Sequence, residues 1–119
     1  MTPYLSCMDI AYVFWRINRE RSRVELTNRD IMRLCFLANL FYSNQYNEPI
    51  AVNMSFENIH EAPFNKQIDD MLNVMDLRYY KVKPERFSKE KKEIIESVYN
   101  IFAHMKPEDY ERLKSYILY

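Results

Sequence analysis

The sequence predicts a mainly α protein: a single domain spanning 1–119, with about five helices around a central apolar one. Three observations carry this. A long, nearly unbroken apolar run from Ile31 to Tyr42 follows a helix-start signature at Thr27 and Asp30. Four further stretches repeat apolar residues at helical spacing behind a Ser or Pro start signal. The chain has no Gly, which removes the residue that tight two-residue hairpins usually need.

Ser6 is positioned to cap a first helix from about Cys7 to Asn18, with Asp9 in its first turn. Ile10, Val13, Phe14 and Ile17 form its apolar stripe, widened by Tyr12 and Trp15. Arg16, Arg19, Arg21 and Arg23 then stand against one acid, Glu20. This reads as a helix end and a solvated connection, with a phosphate-binding patch as the functional alternative.

In the central helix, Thr27 and Asp30 have the spacing of a capping box. Between Ile31 and Tyr42 only Arg33 and Asn39 are strongly polar, so nearly every face of this helix needs cover. Pro49–Val52 and Met54–Phe56 are short and partly alternating, and suggest a small β-hairpin or flap over 49–59. With no Gly available, Asn44, Asn47 and Asn53 are the candidates for left-handed turn positions.

Pro63 fits the first turn of a third helix, with Phe64, Ile68, Met71, Leu72 and Met75 on its apolar face. Asp76 to Phe87 reads as a connection holding Arg78, Tyr79, Tyr80, Lys81 and Lys83 ahead of Pro84. Ser88 caps a fourth helix to about Ala103, apolar at Ile94, Ile95, Val98, Ile101 and Phe102, with Met105 beyond. Pro107 opens a fifth, with Glu108 and Asp109 in its first turn and Tyr110, Leu113 and Ile117 facing inward. Tyr116, Leu118 and Tyr119 leave an aromatic end.

Composition narrows the function classes. Hydrophobic residues make up 48% and charged residues 29%, with a formal net charge of zero. That is a globular composition with no global field toward nucleic acid or a membrane. No run approaches the roughly 20 apolar residues of a transmembrane helix, and the first residues lack the basic-then-apolar order of an export signal. Cys7 and Cys35 therefore read as reduced thiols in a cytoplasmic protein. Without Gly there is no phosphate loop, dinucleotide fingerprint or nucleophile elbow. Glu57, His60 and Glu61 give one Glu-x-x-His without the second copy that a dimetal site needs. Cys35 with His60 or His104 is formally a Cys–His pair, but a thiol on an apolar helix face is ordinarily core. The expectation is no enzyme, no cofactor and no metal.

Three stretches resemble the Panacea antitoxin domain family. They are Met8–Phe14, then Leu26-Thr27-Asn28 with Ile31–Ala38, then Tyr46–Ile50 with Phe56–Phe64. The helix opening at Ser88-Lys89-Glu90-Lys91-Lys92 is similar as well. Asn47 stands where that family has Gly, and Ala62-Pro63 where it has Gly-Pro, so the likeness is to a divergent, short member. The resemblance implies a helical scaffold that neutralises a toxin or host effector by direct binding, encoded by a phage or mobile element. It transfers no catalytic residue. The alternatives are a nucleic-acid-binding regulator and a phage inhibitor of a host defence nuclease. Two surfaces compete for the protein partner. One is Arg78, Tyr79, Tyr80 and Lys81; the other is the Tyr42–Tyr46 end of the central helix with the flap after it.

Overall fold

A computed structural model describes residues 5–82 and 86–118. It contains five α-helices: α1 Cys7–Arg21, α2 Asn28–Tyr46, α3 Lys66–Val74, α4 Lys89–Phe102 and α5 Pro107–Leu118. A 3-10 turn spans Leu77–Tyr79, and the described residues contain no strand. The radius of gyration is 13.6 Å, close to the value of about 13.5 Å expected for a compact chain of this length.

α2 is the centre of the packing, with α1, α3 and α4 laid against it. Ile31, Leu34, Cys35, Leu37 and Ala38 are buried along it, as is Phe36 on another face. This is what a helix apolar on nearly all sides requires. Its two polar exceptions hold neighbours in place. Asn39 Oδ1 accepts from the Ile50 backbone N–H at 3.0 Å, and Arg33 lies 4.7 Å from the Tyr110 ring centre of α5. Phe41 stacks on Phe102 of α4.

Both expected helix starts are full capping boxes. The Thr27 hydroxyl accepts from the Asp30 N–H while the Asp30 carboxylate accepts from the Thr27 N–H; Ser6 and Asp9 do the same for α1. Ser88 caps α4 and Pro107 opens α5, as expected. α1 runs a turn further than expected, so Arg19 and Arg21 lie on the helix.

Other expectations are corrected. α3 begins after Asn65 rather than at Pro63, and Phe64 precedes it, half out in solvent. The 49–59 segment does not pair with itself: Val52 bridges Ser6 in parallel, and Glu57 bridges Phe64. The reason is Asn65. Its amide donates to the Asn53 and Ser55 carbonyls at 2.8 and 3.0 Å while its Oδ1 caps α3 through the Ile68 N–H. Those carbonyls are taken by a side chain instead of a facing strand. Left-handed backbone falls on Asn47, Asn53 and Asn58, whereas Asn44 lies inside α2. Ile101 is exposed, and the inward position it was expected to fill belongs to Tyr99. The Tyr99 hydroxyl donates to the buried Asn18 of α1 at 2.9 Å. Lys83, Pro84 and Tyr119 lie outside the described residues.

Candidate protein-binding groove

A groove of about 570 Å³ lies where the end of α1, the 22–26 connection, the end of α3 and the 3-10 turn meet. Local chemistry builds each wall. Trp15 and Arg19 stand four apart on α1, the spacing that puts one side chain over the next. The Arg19 guanidinium accordingly sits 5.1 Å from the Trp15 ring centre. The 22–26 connection is tied down by Asn18, whose amide donates to the Val24 carbonyl at 2.9 Å. Asn28 at the start of α2 donates to Asn73 of α3 at 2.8 Å and closes one end. Ile31, Leu72 and Leu77 add apolar lining.

Exposed apolar side chains gather at this place. In its lining Val24 is 65% exposed and Met75 44%, and next to lining residues in the chain Tyr79 is 77% exposed and Val74 is also open. Leaving such side chains in water forgoes about 25 cal/mol for every Å² of apolar surface, so a cluster of them marks a contact surface more than a scatter does.

Arginine chemistry frames the groove. Arg78 donates to both carboxylate oxygens of Asp76, at 3.0 Å from Nε and 2.7 Å from Nη2. The Asp76 carboxyl falls to about 2, mainly through that side-chain hydrogen bond and then the Arg78 backbone N–H, with smaller attractions from the Arg78 and Arg19 charges. Arg78 also reaches within 5.9 Å of the Tyr79 ring centre. Arg23 also lines the groove. The rest of the arginine run disperses: Arg16 pairs with Glu20, and Arg21 makes a two-pronged bridge to Glu96 of α4.

The residues singled out in the sequence separate by environment. Arg78 lines the groove, Tyr79 follows it in the chain and is exposed, and Lys81 is exposed nearby in the chain. Tyr80 turns inward. Its hydroxyl donates to Asp9 at 2.7 Å and its ring lies 5.1 Å from Tyr12, so burial and then the Asp9 carboxylate hold its phenol well above the usual range. Tyr42 is 5% exposed, donates to Glu48 at 3.2 Å, and is covered by Tyr46 and by Lys91 of α4. Tyr46 remains partly open.

Cys35 is fully buried, and desolvation raises its thiol well above its ordinary value; burial raises Cys7 too. His104 Nε2 lies 3.5 Å from the Tyr99 hydroxyl. The His60 carbonyl accepts from Lys114 of α5. Among the described residues no three His, Cys, Asp or Glu side chains are grouped to hold a metal. Among the described residues no helix is long and apolar enough to cross a membrane.

Trp15, Arg19, Val24 and Met75 were not singled out as interface residues in the sequence. The Trp15–Arg19 spacing and the apolar Met75 just past the end of α3 were the available signals. What the sequence lacked was the adjacency of the α1 and α3 ends, which makes one site from two separate stretches. Comparison with protein-family models, curated proteins and solved structures finds no match to this chain.

Proposed function

We propose that this protein is a binding module of the antitoxin kind, which neutralises a toxin or effector enzyme by stoichiometric contact through the groove and its rim. The observation that carries the reading is the gathering of exposed Val24 and Met75 with Arg19, Arg23 and Arg78 around one concavity, with exposed Tyr79 following Arg78 in the chain. Aromatic and Arg anchors beside a pocket are the usual energetic centre of a protein interface. The resemblance to the Panacea domain supports the same role, and with it a phage or mobile-element origin and a cytoplasmic site of action.

The test is co-expression with the neighbouring reading frame. That frame should be toxic alone and tolerated with this protein, and Arg78→Ala combined with Tyr79→Ala should abolish rescue and pull-down while the helical circular dichroism stays unchanged. Full rescue by the double variant would remove this surface from the mechanism. Tight binding to DNA that falls steeply with salt, and is lost in the double variant, would replace the reading with that of a nucleic-acid-binding regulator.

A further inference from the structure

We infer that the groove takes a peptide segment of the partner in which an acidic side chain lies next to an apolar one. This deepens the protein-binding reading and rests on it.

The charges are unequally committed. Arg78 is held by Asp76. Arg19 and Arg23 have no carboxylate within ion-pair distance among the described residues, and Glu25 is the one other acid lining the groove. Two guanidinium groups therefore face the cavity against one carboxylate. Arg19 is also held in place by the Trp15 face, so less rotamer freedom is lost when it pairs with an incoming acid. The same cavity is lined by Val24, Leu26 and Met75, which water wets in the free protein and an aliphatic or aromatic side chain would cover.

A phosphate backbone fits less well. It needs a track of cations, but Arg16 and Arg21 are drawn off to Glu20 and Glu96, and Glu25 and Asp76 would face the strand. A single carboxylate beside an apolar group uses both features of the cavity.

Trp15 is the only tryptophan in the chain and lies in the groove wall, so its emission reports occupancy directly. The experiment pans a displayed library of random dodecapeptides on the full chain. The enriched peptides are then titrated against Trp15 fluorescence beside their acid-to-Lys counterparts and a 12-nucleotide single strand. Enriched peptides should carry Asp or Glu within two positions of an apolar residue and shift Trp15 emission. They should bind about tenfold more weakly to Arg19→Gln with Arg23→Gln, whose circular dichroism is unchanged. The inference is overturned if nothing is enriched, if the enriched peptides are neutral or basic, if the double variant binds them equally, or if only the oligonucleotide moves Trp15. Acidic peptides that bind while the rescue assay fails would leave this inference standing and remove the antitoxin reading. Rescue that depends on Tyr79 without any preference for acidic peptides would do the reverse.

Discussion

The two ends of the central helix carry similar residues and face different fates. At the C-terminal end the tilted rings of Tyr42 and Tyr46 lie 4.6 Å apart, Glu48 accepts from the Tyr42 hydroxyl, and Lys91 of α4 lies over the Tyr42 ring. At the N-terminal end the neighbouring segments hold Trp15, Arg19 and Arg78 around an open groove, with Tyr79 exposed next to Arg78 in the chain. Aromatic and cationic residues are present at both. One set is paired within the fold; the other leaves Tyr79, Val24 and Met75 in water. An aromatic side chain becomes an interface anchor when its own fold supplies no cover, and composition alone does not distinguish the cases.

The strongest way to break this contrast is to remove the support both ends share. Leu34 is fully buried midway along α2, so Leu34→Ala should cost about 2–5 kcal/mol in denaturant unfolding and cut cooperativity at both ends together. Next is a direct comparison of one tyrosine at each end. Tyr42→Ala should cost about 3 kcal/mol, whereas Tyr79→Ala should change stability by no more than about 0.5 kcal/mol. Equal losses from the two would mean that the ends are packed alike.

A smaller effect is expected inside the segment that carries the rim. Tyr80→Phe keeps the ring and removes the bond to Asp9, at about 1 kcal/mol. Partner binding should survive in that variant and fail in Tyr79→Ala, so neighbouring tyrosines should separate stability from function.

The smallest change should appear in acid. Asp76 has its folded value lowered to about 2 from an ordinary 3.8. A lowered carboxyl contributes stability above its unfolded value, and that contribution is lost as pH falls from about 4 through 2. Its exposure keeps the effect local. In a carboxyl-detected NMR titration Arg78→Ala should return Asp76 toward its ordinary value and leave the acid unfolding midpoint nearly unchanged.

Much of the fold could be read in advance because it is governed by local rules. The Thr27–Asp30 and Ser6–Asp9 boxes lie within four residues, and Ser88 and Pro107 mark their helices by position alone. The 49–59 segment could not be read this way. Its pairing is decided by Ser6 and Asn65, residues distant in the chain, and a buried Asn claiming two carbonyls has no periodic signature. The site was half legible for the same reason. Arg16–Arg23 and Arg78–Lys81 stood out as basic stretches, but which arginines face the groove depends on Glu96 in α4 and Asp76 beside the turn. Tyr79 and Tyr80 differ through Asp9, which lies 71 positions before Tyr80.

The Tyr99–Asn18 bond also sets a schedule for synthesis. Asn18 is buried in the finished fold, and the Tyr99 hydroxyl that donates to its side-chain oxygen arrives with α4, as does Phe102, the cover for Phe41. While the ribosome is still adding the residues after α3, the α4-facing side of α2 has no lid. At about 5–20 residues per second, the interval from Val74 to Phe102 is roughly 1.5–6 seconds. Through that window the nascent chain shows Phe41 and Tyr42 to its surroundings, and chaperone contact should concentrate there and end once α4 has emerged.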